Sequence, residues 1–204
     1  MKRIALIEVL GVFLIIMVHS TFSNADAPRE HKGFYLRMQL GISDTKSKGT
    51  GYSDIPDTEV SGTGIAFHLD IGGAIKENFI LFGTLGGISI SDPDIKLGGV
   101  KYSTSDTTSR ISDLGVGITY YFMPTNIYLG GSLNLAKNKI EFNGEEGSSD
   151  TGFGLYLNMG KEWWISDNWG LGTAIFGYLG RVPDKDEGKI KNTTYGLLFS
   201  ATFN

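Results

Sequence analysis

The chain contains no cysteine in its 204 residues. That excludes a disulfide framework, a thiolate metal site and a lipid-attachment thiol. With only 3 histidines as well, no metal-ligand spacing appears and no cofactor is expected. Basic residues are not in excess: 18 Lys and Arg stand against 22 Asp and Glu, so the net charge of −4 offers no footprint for nucleic acid. Proline is scarce, at 5 residues, which argues against a disordered Pro/Gly tract even though glycine reaches 29, about twice the average usage. Phosphate-cradle and EF-hand spacings are missing, and Gly62-Thr63-Gly64 reads as strand glycine.

Long apolar runs are also missing, with one exception. Lys2 and Arg3 precede an apolar stretch from Ile4 to Val18, and Ser23-Asn24-Ala25 places small residues before a cut. This is the pattern of a secretory signal peptide over residues 1–25, cleaved between Ala25 and Asp26. The run is shorter than the ~20 residues a spanning helix needs. Glu8 interrupts it and leaves an uncleaved anchor helix as the alternative. Residues 26–204 then form one domain, with no composition break to divide them.

What is present is alternation. Phe34, Leu36, Met38, Leu40 and Ile42 alternate with Tyr35, Arg37, Gln39, Gly41 and Ser43, a period of two. The same rhythm carries Ile65, Phe67, Leu69 and Ile71; then Leu114, Val116, Ile118, Tyr120 and Phe122; then Leu129, Leu133 and Leu135. It continues through Phe153, Leu155, Leu157 and Met159, turns at Ile165-Ser166-Asp167-Asn168, and resumes at Trp169 with Leu171 and Ile175. Tyr195, Leu197, Phe199, Ala201 and Phe203 close the series. A strand over about 79–90 is also expected, but its facing is ambiguous: Ile80, Phe82 and Ile88 share one phase, Leu81 and Leu85 the other. Eight strands result. They are joined alternately by short turns (Lys76-Glu77-Asn78, Met123-Pro124-Thr125-Asn126, the Ile165 turn) and by polar segments over about 44–61, 91–110, 137–150 and 181–191.

Alternation alone does not say whether the apolar face meets a core or lipid. Three features favour lipid. Loop lengths alternate long and short, as in a barrel threaded through a bilayer from one side. Aromatics of the apolar face gather at the short-turn ends: Phe34, Phe82, Tyr120, Phe122, Trp163, Trp169 and Phe203, an expected interfacial girdle. The polar face is dense in glycine, which weakens an exposed strand but makes room for large side chains in a narrow lumen. The expected fold is therefore all-β, an eight-stranded antiparallel up-and-down transmembrane β-barrel following the signal peptide. Hydrocarbon offers backbone amides no partner, so the strands must close. A soluble periplasmic carrier barrel is the competing architecture.

With apolar side chains outward, the lumen holds Arg37, Gln39, His68, Asp70, Asp113, Asn134, Asn158 and Glu162, with Tyr35, Tyr121 and Tyr156. Centring the first loop near Tyr52 sets Arg37 opposite His68 and diagonal to Asp70, close enough for a charge-assisted pair. The leading reading is a polar plug, because side chains alone fill a barrel of this size. A gated path for small or hydrophobic solutes is the alternative. A third reading makes His68, beside Asp70, the base of a membrane-embedded lipid-modifying enzyme, though no partnered serine is identifiable. The loops carry acidic clusters (Asp54, Asp57 and Glu59; Glu145, Glu146 and Asp150; Asp184, Asp186 and Glu187) interspersed with Lys46, Lys48, Lys96, Lys101, Lys185 and Lys189. Lysines at the outer rim could meet lipopolysaccharide phosphates.

From about Gly33 to Phe203 the chain resembles the small eight-stranded outer-membrane barrels of Gram-negative bacteria, the outer membrane protein A and X type. Gly160-Lys161-Glu162-Trp163-Trp164 with Asn168-Trp169-Gly170-Leu171-Gly172 looks like a periplasmic hairpin of such barrels. Thr194, Gly196 and Phe199 resemble the carboxy-terminal signal read by the barrel assembly machinery, departing from it at Ala201 and Asn204. The resemblance implies outer-membrane location, with outer-membrane lipids, lipopolysaccharide and the assembly machinery as partners. It implies no peptidoglycan-binding domain. The expected role is non-enzymatic, in envelope integrity or surface interaction through long extracellular loops.

Overall fold

Side chains on a strand point alternately to its two faces, so a period of two becomes a lipid face and a lumen face once the sheet curls. The computed structural model describes residues 29–52, 56–184 and 188–204. The expected signal peptide, residues 1–25, lies outside the described residues, as do Asp54, Lys185, Asp186 and Glu187. Among the described residues eleven strands are formed: β1 Phe34–Thr50, β2 Thr58–Lys76, β3 Phe79–Ser91, β4 Asp94–Leu97, β5 Val100–Ser103, β6 Thr107–Phe122, β7 Ile127–Phe142, β8 Glu145–Ser148, β9 Gly152–Trp164, β10 Trp169–Pro183 and β11 Lys189–Phe203. Eight long strands pair in the order β1-β11-β10-β9-β7-β6-β3-β2, and β2 returns to β1, so the sheet is closed. Every pairing is antiparallel. No barrel strand among the eight keeps a free edge.

The alternation resolves as apolar outward. Val116, Leu133, Phe153 and Phe199 are 65–73% exposed, whereas Tyr35, Arg37 and Thr119 on the inner face are at 0%. The short turns are tight. Asn78 adopts φ 63° between β2 and β3, a left-handed conformation that asparagine tolerates well.

Two expectations are corrected. The polar segments are mostly strand rather than loop. β1 runs on through Thr45, Ser47 and Gly49 inward and Lys46 and Lys48 outward, because above the hydrocarbon both faces are polar and hydropathy no longer marks a ladder that continues. For the same reason β7 reaches Phe142, β10 reaches Pro183 and β11 begins at Lys189. Two small pieces decorate this end: β4 and β5 form a hairpin on the outer part of β2, and β8 folds back on β7. The second correction is Phe82. It points into the lumen at 4% exposure and does not belong to the girdle, and Ile80, Ile88 and Ile90 are buried on the same face. Leu81 and Leu85 face outward. β3 is apolar on both faces, so its composition could not reveal its phase.

Candidate functional site

An eight-stranded barrel encloses a bore narrow enough for side chains to fill. Here the filling is stacked in tiers. In the middle, β1 and β2 place Arg37 directly opposite Asp70, and Gln39 opposite His68. This pairing moves the partner of Arg37 by two residues from the sequence estimate. Arg37 Nε and Nη2 donate to Asp70 Oδ2 at 3.0 and 2.9 Å, and Nη2 also donates to Thr119 Oγ1 at 3.3 Å. Asp70 Oδ1 accepts from Thr84 Oγ1 at 2.6 Å. The guanidinium lies 4.7 Å from the Tyr128 ring centre, with Tyr35 and Phe82 at 5.7 and 5.9 Å. Cation–π attraction of this kind strengthens when the cation is desolvated. Both members of the ion pair are buried.

Above this tier, the Gln39 amide donates to Tyr128 OH at 3.2 Å and accepts from Tyr156 OH at 3.4 Å. His68 packs on the Tyr156 ring at 4.2 Å between centroids. Asp113 accepts from Asn134 Nδ2 at 2.7 Å. Gly86 makes this crowding feasible: a Cβ there would come within 2.6 Å of His68 Nδ1 and 2.7 Å of the Asp113 carboxylate. Below the ion pair, Glu162 accepts from Thr202 Oγ1 at 2.6 Å, Tyr121 OH at 3.2 Å and Ser200 Oγ at 3.3 Å. Thus Arg37, Gln39, His68, Asp70, Asp113 and Glu162 all occupy the lumen, in three tiers and not one cluster. Arg37 and Thr84 occupy both Asp70 oxygens, and among the described residues neither His68 ring nitrogen has a hydrogen-bond partner.

The alternation also held residues that sequence reasoning left unassigned: Thr84, Thr119, Tyr128, Ser200 and Thr202 all serve the network from the inner phase. His31 was not detectable that way, since it precedes β1. It is 1% exposed and seals the short-turn mouth. Its ring stacks on Tyr121 at 3.5 Å between centroids, Nε2 pairs with Asn126 Oδ1 at 2.7 Å, and Nδ1 pairs with Asn204 Nδ2. The backbone clamps it: Asn78 N donates to His31 O at 3.0 Å, and His31 N donates to Asn78 Oδ1 at 3.0 Å. Burial pushes the His31 imidazole down to about 4, with the Asn126 contact opposing and Arg37 adding to the shift.

Outside the barrel at this same end lie the girdle aromatics. Trp169 and Phe203 meet at 5.4 Å, Phe34 and Phe203 at 6.3 Å, and Tyr120 and Phe122 at 4.9 Å, while Trp163 carries Lys161 over its ring at 5.5 Å. At the opposite mouth, Asn138 and Asn192 exchange amide hydrogen bonds at 3.0 and 2.7 Å. Asn138 also lines a cavity of about 510 Å³ with Ser47, Tyr52, Ser109, Ile140 and Ser149.

A closed antiparallel ring, apolar outside and polar within, with aromatics at the short-turn end, defines an integral β-barrel of the outer membrane. The sequence model of the outer membrane protein beta-barrel domain family matches residues 12–203, and the chain belongs to that family. It is a transmembrane barrel located in the outer membrane of a Gram-negative envelope. Among solved structures, neisserial surface protein A is similar over 81% of this chain and 96% of its own, at 18% identity and a TM-score of 0.53. The outer membrane protein OprG of Pseudomonas aeruginosa is similar over 87% and 100%, at 12% identity and a TM-score of 0.50. These likenesses are of fold. No curated protein matches the chain in sequence.

Two predictions follow from the tiers. Asp70→Asn leaves a buried guanidinium unpaired and should destabilise the refolded barrel by about 3–5 kcal/mol, read from denaturant unfolding in micelles. Replacing both partners, Arg37→Met with Asp70→Leu, should recover most of that loss. The His31 seal should loosen in acid. The ring is held neutral in the folded chain, so the seal is whole above about pH 6.5 and weakens up to tenfold per pH unit down to about 4. A falling protection factor of the Asn78 amide on acidification, corrected for the slower intrinsic exchange in acid and removed by His31→Phe, is the expected reading.

Proposed function

We propose that this barrel is non-enzymatic and non-conducting, its lumen plugged by polar side chains, and that it acts in envelope integrity or surface interaction through its long-loop end. The buried Arg37–Asp70 pair in its aromatic surround carries the reading. An ion passing that tier would have to displace a guanidinium held by a carboxylate, a threonine hydroxyl and an aromatic ring. The Glu162 tier and the His31 seal present two further barriers on the same axis. The packing of His68 on the Tyr156 ring supports a structural imidazole over a catalytic base.

The outer ends of the strands project well past the hydrocarbon, since a tilted strand crosses a bilayer in about 9–11 residues and β1 and β2 have 17 and 19. That projecting, mixed-charge collar is the surface available to partners, among them the lipopolysaccharide leaflet that surrounds it. The amino-terminal signal peptide would deliver the chain for export, and the barrel assembly machinery would insert it.

Single-channel recording of the refolded protein in planar bilayers tests this reading. Wild type should give no resolved steps, and Arg37→Ala with Asp70→Ala should introduce them. Steady steps from wild type, unchanged by that double variant, would favour the narrow pore.

A further inference from the structure

The outward face of the barrel carries an unusual row at its long-loop end. Lys48 on β1 lies directly opposite Lys191 on β11, and Lys191 lies directly opposite Arg181 on β10. All three are exposed. Neighbouring strands are about 4.8 Å apart, so the row sets three positive charges across about 10 Å. Like charges in directly opposed positions destabilise a sheet unless something offsets them. Elsewhere on this collar, carboxylates do so. Glu59 is 2.8 Å from Lys46, 3.2 Å from Lys96 and 3.9 Å from Lys48, and Asp94 is 2.8 Å from Lys101. Arg181 and Lys191 have no carboxylate within salt-bridge distance among the described residues, and Lys189 stands two positions before Lys191 on the same face of β11.

Next to these two cations is an apolar groove of about 400 Å³, lined by Leu133, Phe153, Leu155 and Leu179 and bordered by Arg181 and Lys191 themselves. The groove lies where the outward face changes from aliphatic to charged, at the boundary between acyl chains and headgroups. A slot for a chain beside the uncompensated Arg181–Lys191 pair is complementary to an anionic amphiphile. With Lys189 on the same face, the cluster is wider than one phosphate and suits a headgroup bearing more than one.

We propose that the β9–β10–β11 face is a binding site for a phosphorylated glycolipid of the outer leaflet, the lipid A portion of lipopolysaccharide. One acyl chain would lie against Leu155 and Leu179, with phosphates on Arg181, Lys191 and Lys189. The proposal rests on the reading that the collar meets a lipopolysaccharide leaflet, and is independent of whether the lumen conducts. Lys46, Lys48, Lys96 and Lys101 stand apart from the site because acidic neighbours already hold them.

Native mass spectrometry of the refolded barrel with diphosphoryl lipid A tests the site. Monophosphoryl lipid A and phosphatidylglycerol serve as competitors. Wild type should retain one diphosphoryl lipid A in preference to both. Arg181→Gln with Lys191→Gln should weaken retention at least tenfold, while Lys101→Gln leaves it unchanged. Heat-modifiable gel mobility verifies that each variant is folded. If the double variant retains lipid A as wild type does, the site is overturned and the wider lipopolysaccharide reading stands. If wild type shows no preference for lipid A over phosphatidylglycerol, both are overturned.

Discussion

Backbone amides in hydrocarbon have nothing to bond except another strand. An unpaired peptide group there costs several kcal/mol. Closure through the β1–β11 pairing, which runs in continuous register from Leu36–Phe203 to Thr50–Lys189, is therefore the condition for everything else. Once the ring is closed, the alternation of each strand can satisfy two solvents at once. Its aliphatic members face acyl chains, and its polar members face one another.

The closed ring then dictates its own filling. A bore of this width cannot stay apolar on the strength of glycine alone, nor admit enough water to solvate an isolated ion. Large polar side chains occupy it in pairs, with glycine across from them. A Cβ at Gly160 would come within 2.6 Å of the Tyr128 ring, and Tyr128 in turn supports the Arg37 guanidinium. The abundance of glycine and the burial of a charge pair are two sides of one packing solution. The collar obeys a different rule, because water reaches both of its faces. There carboxylates balance Lys46, Lys48, Lys96, Lys101 and Lys139, whereas Arg181 and Lys191 stand directly opposed with no carboxylate partner among the described residues.

How much of this could be read beforehand depended on whether the two faces of a segment differ. Where they do, as in β1 from Phe34 to Ser43 or β6 from Asp113 to Phe122, strand, phase and lumen residues were legible, Arg37, Asp70 and Glu162 included. Where they match, phase was hidden. β3 is apolar on both sides through Ile80–Leu81 and Leu85–Ile88, so Phe82 was misassigned to the girdle. Above the membrane β1 and β7 are polar on both sides and resembled loops. Register was legible only to about two residues: the Arg37–Asp70 pair was expected as a diagonal contact and is a directly opposed one. The His31 seal was out of reach, since it joins the leader to Asn78, Asn126 and Asn204, contacts that no periodicity connects.

The central claim is the orientation of the two faces, and β9 tests it most directly. The chain has no cysteine, so single cysteines introduced in turn at Phe153, Tyr156, Leu157, Asn158 and Met159 can be spin-labelled without background. In a reconstituted bilayer, labels at 153, 157 and 159 should collide with oxygen dissolved in the acyl chains. Labels at 156 and 158 should be shielded from oxygen and from aqueous relaxation agents alike. Oxygen accessibility in the opposite phase, highest at 156 and 158, would contradict the account.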